Sequence, residues 1–222
     1  MKQIRFLSYA LEESIPVYGK KNIHLDITAV KSLANGDSCN TYRFSMENHW
    51  GTHIDTPAHF FQDAKTITDY RADFWIFKSP CVIKLSCGKN SVIKLKDIEG
   101  RLSKKHDSLF IKTGFSRFRG KKEYSFYNPA VSPEVGFYLR NKMPNIRAIG
   151  FDFISLGSFQ NRDLLRQSHR AFLDPRGKGR PIVVIEDMDL SSGLFGLKSV
   201  LVAPLRIKRI DSAPCVVFGV FK

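Results

Sequence analysis

Apolar and polar positions along this chain mostly alternate in short runs bounded by Gly, Pro, Asn and Asp, and that pattern predicts a strand-rich protein. Strands are expected at residues 4–10 and 23–30, separated by a loop around Ile15-Pro16-Val17-Tyr18-Gly19. Thr41 to Met46 alternates, Cys81 to Leu85 is strongly apolar, and Ser108 to Thr113 reads the same way. Further strands are expected at Ala148 to Asp152, Pro181 to Glu186, Val200 to Leu205 and Cys215 to Phe218. Helical patterns are fewer. Leu95 to Lys104 reads as a short helix, and Asp163 caps another that runs through Phe172. Ser132-Pro133-Glu134 combines a capping serine, a first-turn proline and an acid, so a helix should run from there to about Met143, before Pro144. Gly114 to Asn128 is basic, aromatic and irregular, and is expected as a surface excursion. Eight to ten strands with two or three helices predict an α/β fold with a mixed sheet, in one domain over 1–222. Strict strand–helix alternation is missing, which disfavours a doubly wound fold.

Composition narrows the setting. The 222 residues are 43% hydrophobic and 25% charged, ordinary for a globular chain able to bury a full core. No apolar run approaches the ~18 residues of a membrane span, and Met1 to Phe6 lacks the apolar segment of a secretory signal. Cys39, Cys81, Cys87 and Cys215 have no C-x-x-C spacing, and three lie in apolar runs, so buried reduced thiols and a cytoplasmic location are expected. The net charge of +14 raises the question of nucleic acid. The basic residues are dispersed in short groups without interleaved aromatics, which disfavours nucleic-acid binding; steep salt dependence would be its signature.

The candidate chemistry concentrates in Asn48 to Phe60. Eleven residues, His49 to His59, hold three of the six histidines and one carboxylate. His49, His53, Asp55 and His59 are all odd-numbered, which predicts one shared face of an extended segment. Gly51 and Pro57 argue against a helix despite the four-residue spacing of His49 and His53. A straight strand would hold those two Cα atoms roughly 13 Å apart, too far for one ion, so a kink at Gly51 is expected. His49, His53 and Asp55 would give three nitrogen and oxygen ligands suited to zinc or manganese, with positions left open. The competing reading is a histidine-rich strand end held by hydrogen bonds. His59, beyond Pro57, is better sited to move protons. His24, alone at a strand start, reads as a surface or satisfied core histidine. His169 on its helix and Glu186 at the end of an apolar strand could form a second site, but spacing does not bring either beside Asp55.

His49-Trp50-Gly51-Thr52-His53-Ile54-Asp55-Thr56-Pro57-Ala58-His59 resembles the H-x-G-T-H-x-D-x-P-x-H signature of the cyclase family, which includes bacterial-type kynurenine formamidases. Ser168-His169-Arg170 and Ile185-Glu186-Asp187-Met188-Asp189-Leu190 resemble the family's second histidine and its I-E-x-x-x-L strand. The Tyr18 region and Gly150-Phe151-Asp152 fall where members carry comparable segments. The resemblance implies a swivelling β/β/α fold, a barrel-like mixed sheet with flanking helices. It also implies two divalent metal ions, zinc first and manganese second. His49, His53 and Asp55 would hold one; Asp55 would bridge to the other, held by His169 and Glu186. His59 would be the general acid/base for hydrolysis of a small amide, N-formylkynurenine in the formamidases. Alternatives within the resemblance are another cyclic amide or lactone, as in isatin hydrolase-like or polyketide cyclase-like members, or a non-catalytic metal- or ligand-binding member. The intact residue set argues against the last. A homodimer or homotetramer is implied, with Trp50, Trp75 and Phe77 as candidates for closing a neighbour's site. The sequence departs from the formamidase pattern at Tyr18-Gly19-Lys20-Lys21 and in the long connection Asp174 to Arg180, so the substrate is less constrained than the metal chemistry.

Overall fold

The computed structural model describes residues 3–19 and 25–222; His24 and the Lys20-Lys21 part of the entry loop lie outside them. Strands β1 (Gln3–Phe6), β2 (Asp26–Lys31), β3 (Thr41–Ser45) and β4 (His53–Asp55) come first. They are followed by β5 (Ile76–Phe77), β6 (Pro80–Lys84), β7 (Val92–Ile93), β8 (Ser108–Lys112) and β9 (Ala130–Val131). β10 (Ala148–Phe151), β11 (Val183–Glu186), β12 (Leu197–Pro204) and β13 (Ser212–Phe221) complete the strands. The helices are α1 (Leu95–Ile98), α2 (Lys122–Phe126), α3 (Pro133–Lys142) and α4 (Arg162–Leu173).

Nine strands form the main sheet, in the order β5-β12-β13-β4-β11-β10-β8-β6 with β1 also on β13. β6, β8, β10 and β11 run parallel, and each connection between them passes through helix. β4 is antiparallel to both β11 and β13, so it joins the parallel half to an antiparallel half. β6 at one end approaches β12, and the sheet is nearly closed into a barrel. This is the mixed α/β architecture expected from the sequence, with the strand–helix alternation confined to one half.

Successive residues of the central strands enter two different cores. Leu109, Ile111, Ile149, Phe151 and Val184 pack with Val135, Leu139 and Phe172 of the helices. Phe110, Ala148, Val183 and Ile185 face the opposite way, onto Ile54, Val200 and Val217. Both faces are covered, which is why these strands are apolar without alternation. No helix among the described residues is long and apolar enough to cross a membrane.

Several expectations are corrected. The 4–10 strand ends at Phe6, with only an isolated bridge at Ser8. The Leu95–Lys104 helix is a single turn, Leu95–Ile98: the backbone turns extended at Glu99 (ψ 138°), and Gly100 follows with φ +79°. Asn161, not Asp163, caps α4; its side chain accepts from Leu164 N. Residues 114–128 are no surface excursion: Phe115 and Tyr124 are fully buried, and the segment folds over the region after β11. β2 and β3 form a hairpin of their own, exposed on both faces and outside the main sheet. Trp50, Trp75 and Phe77 are buried within their own chain and so are not free to enter a neighbour's site. Cys81, Cys87 and Cys215 are buried free thiols, whereas Cys39 is exposed.

Candidate metal centre

The shared face expected for His49 to His59 does not exist as one strand. Only His53 to Asp55 is extended; Gly51 takes φ +64°, and His59 ends a tight turn that begins at Pro57. The kink at Gly51 brings the His49 and His53 rings to 4.9 Å, and the turn after Pro57 brings His59 to 4.4 Å from His49. His53 and Asp55, two apart on β4, project from one face. Strand pairing does the rest. His53 is opposite Glu186 on β11, and Asp55 is opposite Ser212 on β13.

Asp55 Oδ1 stands 3.3 Å from His49 Nδ1 and 3.7 Å from His53 Nε2. Glu186 Oε2 lies 3.3 Å from His53 Nε2, and its Oε1 lies 3.7 Å from His169 Nε2. Two overlapping ligand sets result: His49, Asp55 and His59, and His53, Asp55 and Glu186. Asp55 belongs to both. Backbone carbonyls orient two of the rings: His53 Nδ1–H donates to Gly51 O and His169 Nδ1–H to Leu165 O, each at 2.8 Å. Both Nε2 atoms therefore face the cluster, the arrangement by which neighbouring groups set a ligand histidine. Phe60 stacks on His169 at 4.6 Å. The cluster lines a cavity of about 280 Å³.

A model of the putative cyclase family matches residues 6–158, more than half of the chain. The chain belongs to the cyclase family. That match ends before His169 and Glu186. Cyclase-like protein 1 of Arabidopsis thaliana is 28% identical over 196 residues, 82% of this chain and 70% of the plant protein. A kynurenine formamidase of Bacillus mycoides is 26% identical over 183 residues, covering 82% of this chain and 81% of the formamidase. Among solved structures, isatin hydrolase A from Labrenzia aggregata bound to benzyl benzoate superposes with a TM-score of 0.82 at 20% identity, over 99% and 94% of the two chains. At that identity the likeness is one of fold.

The electrostatics of the cluster favour a cation. Asp55 is buried, and both of its oxygens lack a hydrogen-bond partner, as does His53 Nε2. Such orphans are costly unless something binds them. Burial opposes ionisation of Asp55, but His59, His49 and His53 around it outweigh that and hold its carboxyl well below the usual range. Glu186 is also held down: burial and Asp55 push it up, and His169 and His53 more than offset them. Burial disfavours charge on His53, yet Glu186 and Asp55 beside it raise its pKa to about 9. Without metal, protons are the counter-charge. The donor set is two carboxylates and imidazoles, which fits a divalent ion of the zinc or manganese type.

Asp211 is a site residue that the sequence did not suggest. Its carboxylate accepts from His59 Nδ1 at 2.7 Å and lies 3.8 Å from His49 Nε2. His59 holds the Asp211 carboxyl down at about 2, and Asp55 and Asp211 raise His59 against the effect of burial. An acid just before a strand is an unremarkable signal; only the pairing of β13 with β4 brings it here. Asp187 was likewise silent. At φ +50° it turns the chain after Glu186, and Arg119 and Tyr124 bind its buried carboxylate. Thr52 Oγ1 donates to its carbonyl, tying that turn to the one before His53.

Proposed function

We propose that this protein is a metal-dependent amide hydrolase of the arylformamidase type, acting on N-formylkynurenine or a related aryl formamide. The observation that carries the reading is Asp55, buried, ionised and ringed by imidazoles where two ligand sets overlap, beside the His59–Asp211 pair. The likeness to the Bacillus formamidase along 82% of the chain supports the substrate type.

In this reading His49, His53, Asp55, His169 and Glu186 hold two divalent ions, zinc or manganese. When bound, such ions acidify water and polarise a carbonyl. The remaining steps belong to the chain. Asp211 accepts from His59 Nδ1 and fixes the ring, leaving Nε2 to exchange protons with the substrate. In the hydrolysis the C–N bond breaks and the oxygen of water goes to formate. One proton of that water passes through His59 Nε2 to the departing arylamine nitrogen, and the other is released as formic acid ionises to formate. Phe60 and Trp50 wall the cavity against bulk water.

Turnover of N-formylkynurenine, formanilide and isatin should vanish after chelation and return with Zn²⁺ or Mn²⁺. No metal-restored turnover of any of them would sink the hydrolase reading, and turnover of isatin alone would shift it to ring opening of a cyclic amide. Asp55→Asn should lose both metal and rate. His59→Ala should lose about 10²–10⁴ in rate with metal retained, the usual worth of a general acid/base. Equal metal loss in both variants would make His59 a ligand, as its grouping with His49 and Asp55 allows.

We also propose a homo-oligomer in the cytoplasm. The β2–β3 hairpin exposes Ile27, Val30, Tyr42 and Phe44, and an apolar groove of about 810 Å³ runs between it and β12–β13. A lone two-stranded hairpin is marginal in water, so a second copy of the chain covering it would explain its order. A reducing compartment suits the three buried free thiols.

A further inference from the structure

Two features at the mouth of the cavity are not used by the chemistry above. Arg162, first residue of α4, lines the cavity and is exposed. Its guanidinium lies 4.5 Å over the Phe159 ring and 5.7 Å over the Tyr18 ring. No carboxylate or carbonyl among the described residues engages it, whereas Arg166, one turn on, is paired with Asp163. The second feature is the Tyr18 hydroxyl, which is buried on the cavity wall without a hydrogen-bond partner among the described residues. Burial, only partly offset by Arg162, pushes the Tyr18 phenol up, so it remains a neutral donor. Tyr18 and Phe159 meet edge-on at 5.5 Å, and Phe126 backs Phe159 at 5.1 Å. The arginine is thus carried on a braced aromatic shelf, with no hydrogen bond from its N–H groups to any described residue. Glu47 lines the same cavity and has interactions of its own.

The helix sets the scale. Arg162, Leu165 and His169 all line the cavity and share one stripe of α4, so Arg162 stands two turns, about 10 Å, from the metal-centre histidine. The cavity of about 280 Å³ lies along that stripe. Forked donation by a guanidinium matches a carboxylate, and a neighbouring phenol adds a third donor.

We propose that Arg162, backed by the Tyr18 hydroxyl, is the receptor for a carboxylate carried on a side chain of the substrate's ring. The substrate class is then an aryl amide with a carboxylate-bearing side chain, and rings without one are the poorer substrates. The inference rests on the amide-hydrolase reading for the identity of the scissile bond, and on Arg162 and Tyr18 for the rest.

The test compares N-formylkynurenine with neutral formanilide on the metal-loaded full chain. Arg162→Ala should lower the ratio of their kcat/KM values about tenfold, the loss lying in KM for N-formylkynurenine. Arg162→Lys should recover part of that ratio, Tyr18→Phe should lower it less, and Arg166→Ala should leave it at the wild-type value. A ratio that Arg162→Ala does not move overturns the proposal while leaving the hydrolase reading intact. If neither compound is hydrolysed, the formamidase reading fails, and binding decides the receptor separately. Calorimetry with kynurenine and with neutral 2-aminoacetophenone should then show Arg162→Ala weakening kynurenine about tenfold more. Equal weakening of both ligands, or of neither, overturns it.

Discussion

Asp55 and His53 state the site's preference most directly. A buried carboxylate whose oxygens accept no hydrogen bond from the described residues, facing an imidazole whose pKa is raised to about 9, has protonated imidazoles as its counter-charge and suits a divalent cation in their place. Metal and proton must then compete for His53 Nε2. Because His53 is protonated below about 9, apparent affinity for Zn²⁺ should rise with pH from 7 to about 9. Proton release should accompany binding at pH 7. Calorimetry in buffers of different ionisation enthalpy measures both, and a pH-independent affinity without proton release would refute the assignment. The same sign governs the metal-free fold. A histidine raised above its unfolded value of about 6.5 stabilises fully below that value, and the contribution is lost as pH climbs through 9.

At the scale of elements, Gly51 converts a linear motif into a cluster. Its φ of +64° ends the approach to β4, and a Cβ there would meet Leu11 Cδ2 at 2.7 Å. Gly100 has φ +79° with open space around it, so it shares the backbone strain without the position. Gly51→Ala and Gly100→Ala should each cost about 1–2 kcal/mol in thermal or denaturant unfolding, the usual price of a left-handed non-glycine residue. Only Gly51→Ala should also weaken Zn²⁺ binding, because it shifts His49 relative to His53. Equal metal affinity in the two variants would show that the kink does not set the cluster. The motif's residues and the need for a bend were legible in sequence. The ring geometry was not, since it depends on the turn after Pro57 as much as on the strand.

For the whole molecule, the open question in physical terms is the β2–β3 hairpin. Its strands pair only with each other, and Ile27, Tyr42 and Phe44 face an apolar groove rather than a core. Light scattering should report a mass of at least twice 25.3 kDa at micromolar concentration. Ile27→Lys with Phe44→Asp should shift it toward the monomer while the folded spectrum persists. A wild-type monomer throughout the micromolar range would remove the basis for the assembly.

By itself the sequence determined the strand-rich α/β class, the elements with long apolar runs, and six residues able to hold metal or move protons. Those are local properties: apolar pattern, caps, and side-chain chemistry within eleven consecutive residues. Even His169 and Glu186 were named individually, one on a helix and one at a strand end. Tertiary structure decided which of them meet. Glu186 reaches His53 because β11 pairs with β4, and Asp211 reaches His59 because β13 pairs with β4 on its other side. Arg119 and Tyr124 reach Asp187 because residues 114–128 fold inward. Strand register joins residues more than a hundred positions apart, and no local pattern encodes that distance.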